Sequence, residues 1–365
     1  MRSRIAKCML ACGAIVALAS TTVRAKNLTF EQVNLVSDQA EVAQIQDENL
    51  VNAWGIAFSA SGAFWVNANE TGKSLLYAVT NAANGDPTVI KQGLEVSIPG
   101  DGNPTGQFFD SHGFFNGDAF IFASEDGTIS GWRGALGTSA EVLTQRVTAV
   151  YKGITLVTTT SNGPVILAAN FAEGTVDEYN TNMTLLAQFV DTKAKTGYAP
   201  FNVQVIDGIV FVTFAKQDSE KVDDVPGKGN GIIDILDPDT GKFTRFVTGK
   251  DAGGKDKDLN SPWGLVLTPS SWGKNADKLL VGNFGDGTIT IYNDNAKSKG
   301  KLKSNEGGDV TIDGLWGLTF GNGGSAGDPD ILYFSAGPNG EGDGLFGSLV
   351  PAPKNKKHMA ALDDL

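Results

Sequence analysis

The chain has 365 residues and a formal charge of −12, from 41 acidic and 29 basic side chains. Hydrophobic residues make up 41% and glycine numbers 46. This composition excludes disorder and argues against a helix bundle, because a glycine at roughly every eighth position punctuates short elements joined by tight turns. The length exceeds the roughly 150 residues of an ordinary domain, so two domains or one large closed architecture is expected.

The first segment reads as a targeting signal. Arg2, Arg4 and Lys7 precede an apolar run from Cys8 to Ala19, and a polar stretch ends in Val23-Arg24-Ala25. That order predicts a cleaved secretory signal peptide over residues 1–25. The apolar run is about a dozen residues, short for a bilayer-spanning helix, and an uncleaved anchor is the alternative. Ala11-Cys12 hints at a lipoprotein box, but the apolar core continues past it. Removing residues 1–25 takes away both cysteines and four basic residues, leaving 25 basic against 41 acidic side chains and a net charge of −16. The expected mature chain is secreted or periplasmic, is held by packing without disulfides and has no later membrane segment. Nucleic acid is a poor partner for such a surface.

From there the chain repeats. Six anchors set a small residue after a larger one at the start of an apolar run: Asn52-Ala53-Trp54-Gly55, Asn103-Pro104-Thr105-Gly106, Val150-Tyr151-Lys152-Gly153, Ala199-Pro200-Phe201-Asn202, Ser261-Pro262-Trp263-Gly264 and Gly314-Leu315-Trp316-Gly317. Their ends are 51, 47, 49, 62 and 53 residues apart. A second apolar run follows each anchor, at 64–68, 119–123, 165–169, 209–214, 278–282 and 331–335, and then a Gly/Asp/Asn turn and a third run. The turns of units three and five match, Asn170-Phe171-Ala172-Glu173-Gly174-Thr175 against Asn283-Phe284-Gly285-Asp286-Gly287-Thr288. Six units of about fifty residues, each with four short strands, is a propeller period. The predicted fold is therefore all-β, a six-bladed β-propeller over residues 26–349 with four antiparallel strands per blade. The last unit supplies three strands, near 315–320, 331–336 and 344–349. The run Phe30–Val36 is predicted to pair with Gly344–Leu349, closing the ring and hiding two edges. Residues 350–365 have no apolar period and are expected to form a disordered tail.

The stretches Val51–Ser59, Phe122–Ile129, Tyr198–Gln204, Leu280–Gly287 and Gly314–Pro329 resemble an uncharacterised family of exported, mostly bacterial proteins related to NHL-repeat propellers. The resemblance runs from about Asn34 to Leu349. It implies a six-bladed propeller and export, with no agreed activity to carry over. Some members end in a Pro-Glu-Pro sorting tail with a hydrophobic segment, which Lys356–Leu365 lacks.

In a propeller, the loops leading into the innermost strand share a face with those after the second strand. Here these loops hold Glu70, Glu125, Asp126, Glu173, Asp218, Glu220, Asp223, Asp224, Asp286, Glu341 and Asp343, and the other set adds Asp47, Glu48, Asp256, Asp258 and Asp313. Two readings stand side by side: acidic loops that keep the protein soluble, or carboxylates that converge near the axis and hold Ca²⁺, which takes six to eight oxygens. Glu125, Asn170 and Asn283 are the candidate Ca²⁺ ligands, because they end equivalent second strands. The spacings Asn339-x-Glu341-x-Asp343 and Asp256-x-Asp258-x-Asn260 imitate calcium loops without completing one.

Trp54, Phe201, Trp263 and Trp316 take equivalent anchor positions at the mouth of the channel, with Thr105 and Lys152 in the other blades. They read either as wedges between blades or as a pocket in which a sugar or aromatic ligand stacks. Lys216 opens a long loop, 219–229, that lengthens the fourth unit; it is a candidate lid or partner-binding loop, or a passive excursion. The histidines are His112, expected on the opposite face, and His358, in the tail, so no Ser-His-Asp triad or His-rich zinc site is available to the acidic face. Asn27, Asn69 and Asn182 carry glycosylation patterns that short motifs often produce by chance. Two functions follow: an exported module that binds a small molecule, an extracellular protein or a glycan on its acidic face, or a metal-dependent lactonase- or esterase-like hydrolase at the mouth of the channel.

Overall fold

The computed structural model of the protein describes residues 28–81, 85–249 and 258–352. The first blade comprises Ala53–Ala57, Phe64–Ala68, Lys73–Asn81 and Pro87–Ser97, and the second Pro104–Phe109, Phe120–Ser124, Thr128–Trp132 and Glu141–Gln145. The third comprises Tyr151–Thr159, Gly163–Asn170, Thr175–Tyr179 and Leu185–Phe189, and the fourth Tyr198–Ile206, Ile209–Lys216, Ile232–Asp237 and Lys242–Thr248. The fifth comprises Pro262–Leu267, Leu279–Asn283, Ile289–Tyr292 and Ser298–Lys301. In the sixth, Leu315–Phe320, Leu332–Ala336 and Leu345–Ala352 are joined by Thr29–Ser37, with the short Ile45–Gln46 alongside it. Each innermost strand touches that of the next blade, and the sixth touches the first. The fold is a six-bladed β-propeller.

The second strands explain why alternation is hard to find in the sequence. Phe64–Ala68, Phe120–Ser124, Leu279–Asn283 and Leu332–Ala336 are buried at every position, because neighbouring blades cover both of their faces. Alternation returns at outer strands such as Leu185–Phe189. The core lies between blades. Trp65 stacks on Phe120 at 3.9 Å between blades one and two, and Phe64 meets Tyr333 at 4.7 Å and Phe346 at 5.1 Å between blades one and six.

The small residue of each anchor has one cause. Every innermost strand breaks register at its anchor, as between Ala53 and Ile56, Pro104 and Gln107, or Leu315 and Leu318. There it lies against the next innermost strand. A Cβ on Gly55 would sit 2.3 Å from the Thr105 carbonyl oxygen, one on Gly106 2.9 Å from the Gly153 Cα, and one on Gly317 2.8 Å from the Trp54 carbonyl oxygen. Glycine is required for that approach. Blade four has Asn202 instead, and its side chain donates to the Trp263 carbonyl at 2.8 Å. Gln107 and Thr105 latch neighbouring blades in the same way, to Gly55 O at 2.8 Å and Tyr151 O at 2.7 Å.

The ring closes as the sequence predicts. Gln32 pairs with Leu349, Val33 with Ser348 and Val36 with Phe346, antiparallel. Phe30, 1% exposed, packs against Trp272 at 4.9 Å. One boundary moves. Val350, Pro351 and Ala352 belong to the last strand, opposite Glu31, Phe30 and Thr29. They were expected in the tail because their own sequence has no apolar period; pairing with the first strand orders them. The remainder of that tail, His358 and the signal segment 1–25 lie outside the described residues.

Candidate functional site

The anchors converge on the axis and fill it. Trp54, Phe201, Trp263 and Trp316 form one apolar cluster with Phe171 and Phe284, and none of the four anchor aromatics is more than 6% exposed. Trp54 stacks on Trp316 at 3.6 Å, Phe284 stacks on Trp316 at 3.8 Å, and Trp263 meets Trp54 and Trp316 edge-on at 6.2 and 6.0 Å. Ring packs against ring, so the cluster is a plug. Trp316 Nε1 donates to Asn52 Oδ1 at 3.0 Å and Trp263 Nε1 to the Lys152 carbonyl at 3.1 Å.

Lys152 sits where four of the other blades carry aromatics and blade two carries Thr105. Its Nζ lies 5.2 Å from the centre of the Trp54 ring, a favourable place for a cation. It is ion-paired with Glu125, and with Asp223 at 3.2 Å. Its side chain is 2% exposed. Burial works against its charge, but the two carboxylates outweigh burial and hold the ammonium above its ordinary pKa.

Asn69 Nδ2 donates to Glu125 at 3.0 Å, and Asn52 Nδ2 donates to Asn69 Oδ1 at 3.3 Å and to Glu341 Oε2 at 2.7 Å. The two amides thus link the carboxyl groups of Glu125 and Glu341. Burial pushes the Glu341 carboxyl up to about 7, despite the Asn52 hydrogen bond and the charge of Lys152. Burial also pushes Asp224 up to about 6, and its Oδ2 has no hydrogen-bond partner.

Four blades and one insertion build this cluster. Lys152 lies on the innermost strand of blade three, Glu125 and Asn69 follow the second strands of blades two and one, and Glu341 follows that of blade six. Asn52 precedes the innermost strand of blade one with φ 50°, a conformation asparagine tolerates better than most residues. Asp223 and Asp224 come from the long loop of blade four. That loop folds back on itself: Val225 N donates to Lys216 O at 2.7 Å and Asp218 N to Asp223 O at 2.8 Å. The excursion thereby places Asp223, 67% exposed, against Lys152.

The other sequence candidates fall elsewhere. In register, Pro104 faces Ser124, Tyr151 faces Asn170 and Pro262 faces Asn283. Glu125 is therefore one residue beyond the position of Asn170 and Asn283, in line with Phe171 and Phe284, and a one-residue offset turns a side chain to the opposite face. The Asn170 amide donates to Glu173 and Asp177, both at 3.1 Å. Asn283 donates to the Thr288 and Thr290 hydroxyls at 3.3 and 3.2 Å. Both asparagines brace their own blades, and the three candidate Ca²⁺ ligands are not brought together. Among the described residues no group of three or more His, Cys, Asp or Glu is arranged to hold a metal ion. Lys216 is exposed, outside the cluster. Asn69, which carries a glycosylation pattern, is 1% exposed. Sequence reasoning left Asn52 and Asn69 unassigned, although Asn52 opens an anchor and Asn69 stands in line with Glu125.

No protein-family model matches the chain. Two uncharacterised proteins of Acanthamoeba polyphaga mimivirus are similar to it. One is 28% identical over 345 residues, covering 88% of this chain and 86% of the relative. The other is 27% identical over 337 residues, covering 86% and 78%. Among solved structures, an auxiliary nutrient binding protein from Bacteroides ovatus aligns with TM-score 0.53 at 12% identity, over 90% of this chain and 78% of that one. An α-L-arabinofuranosidase from Fusarium graminearum aligns with TM-score 0.52 at 13% identity, over 88% and 98%. Virginiamycin B lyase from Staphylococcus aureus aligns with TM-score 0.50 at 13% identity, over 89% and 100%. At these identities the likeness shows the propeller fold. Among the described residues no helix is long and apolar enough to cross a membrane.

Proposed function

We propose that this chain is an exported, NHL-like propeller that binds a small organic cation, an amine, at the mouth of its channel. One observation carries the reading. Glu125, Asp223, Asp224 and Glu341 gather about Lys152, so carboxyl groups outnumber the ammonium four to one. Burial keeps a proton on two of them to about 6 and about 7, and ionising them needs more positive charge than Lys152 brings. A bound cation supplies that charge, ionises them and releases protons. Titration calorimetry with putrescine, in buffers of different ionisation enthalpy, tests this. The expected result is buffer-dependent heat and an affinity that rises from pH 5.5 to 8, reduced about tenfold by Asp223→Asn. Absence of heat with putrescine at millimolar concentration refutes it.

A second reading has its own support. Glu341 holds a proton near neutrality and is tied through Asn52 and Asn69 to Glu125, which is ion-paired. Two carboxyl groups in unlike environments are the arrangement of an acid and a base. Turnover of a lactone panel, with and without Ca²⁺, Mn²⁺ and Zn²⁺, that disappears in Glu125→Gln would put hydrolysis ahead of binding.

A further inference from the structure

Beneath the aromatic plug, the innermost strands run on toward the opposite face and enclose a cavity of about 320 Å³. All six blades contribute to its wall, among them Ile56, Gln107, Thr155, Gln204, Trp263 and Leu318. The plug stops one end, so the channel is blind. It is a space distinct from the carboxyl cluster, and none of its lining residues is charged.

Three observations define what fits. The first is the backbone. Every innermost strand ends its sheet and is paired on one side, so its free edge offers N–H and C=O groups to the axis. The second is Gln107, 8% exposed. Its amide nitrogen donates to the Gly55 and Trp65 carbonyls at 2.8 and 3.0 Å. The amide is thereby held between blades one and two, so the wall at this point is a fixed, uncharged side chain. The third is the rest of the lining. Thr155, Gln204 and Thr319 add hydroxyl and amide groups, and Phe58, Phe108 and Leu318 add apolar surface.

We infer that this blind channel binds a neutral, hydroxyl-rich small molecule of monosaccharide size, held by the free strand edges. A charged ligand would be desolvated with no counter-charge in the wall. Hydroxyls both donate and accept, as strand edges require, while sugar C–H faces suit Phe58 and Phe108. The volume lies at the small end of the roughly 300–1,000 Å³ of ligand pockets.

Ligand-observed NMR and calorimetry on the intact protein, with D-glucose, D-galactose and L-arabinose against D-glucuronate, test the inference. At least one neutral sugar is expected to bind, about tenfold tighter than glucuronate. Thr319→Trp, or Gln204→Trp should the first variant fail to fold, is expected to weaken that binding at least about tenfold with an unchanged melting temperature. Saturating CaCl₂ and putrescine are expected to leave sugar binding unaltered. Failure of all three neutral sugars to bind, equal binding of glucuronate, or binding that survives both tryptophan variants overturns the inference. Competition from either cation would move the sugar to the mouth and overturn it as well.

Discussion

Glu341→Gln isolates the electrostatic cost of the mouth. The substitution keeps the side-chain shape and an oxygen for Asn52, whose amide donates to Glu341 at 2.7 Å, and it mimics the protonated acid. Burial raises this carboxyl from 4.5 to about 7, so the folded state binds the proton more tightly than the unfolded chain. The favourable contribution is complete below pH 4.5 and is lost as the pH rises through 7. At 1.36 kcal/mol per pH unit the full loss is about 3 kcal/mol, and partial solvent contact reduces it to about 2 kcal/mol. Glutamine has no proton to lose. Urea unfolding of both proteins should therefore give equal stabilities near pH 4 and a variant about 2 kcal/mol more stable at pH 8. The comparison cancels other buried acids, such as Asp234, raised to about 7 first by burial. A variant less stable at pH 8, or a difference that does not change between pH 4 and pH 8, refutes the reasoning.

Two further outcomes concern the ring. Phe30→Ala should lower the unfolding free energy by about 3–5 kcal/mol, since Phe30 is buried against Trp272; an unchanged urea midpoint would mean that the first strand does not hold the ring shut. Gly106→Ala should cost about 1–3 kcal/mol, because the new Cβ meets the backbone of Gly153 and Ile154 at 2.9 Å, while Gly93→Ala, with nothing within 4 Å, should stay within about 0.5 kcal/mol in the same thermal melts.

The fold is legible in the sequence because its physical cause recurs. At each pass toward the axis the chain meets the next blade at the same depth, and Gly55, Gly106, Gly153, Gly264 and Gly317 record that crowding at a fifty-residue period. The closing strand is legible because Phe30–Val36 is a strand-like run with no other place in the count. The site is harder to read. Glu341 and Asn52 are 289 residues apart and meet through ring closure. Asp223 reaches Lys152 from another blade by way of an insertion without a counterpart in the repeat. The offset between Glu125 and the asparagines Asn170 and Asn283 is a single residue, and bulges in the innermost strands hide it from an alignment by anchor.

The pairing of the first strand with the last also sets how the molecule yields to force. Thr29 lies opposite Ala352, and the strands run antiparallel from there toward Ser37 and Leu345. Tension applied through the two outgoing segments pulls on the same end of the ladder. It breaks the cross-strand bonds in sequence, as a zipper opens, whereas pulling along the strands would load them all at once. The propeller is therefore softest along the line joining the places where its chain enters and leaves, and attachment through either segment alone leaves that seam unloaded.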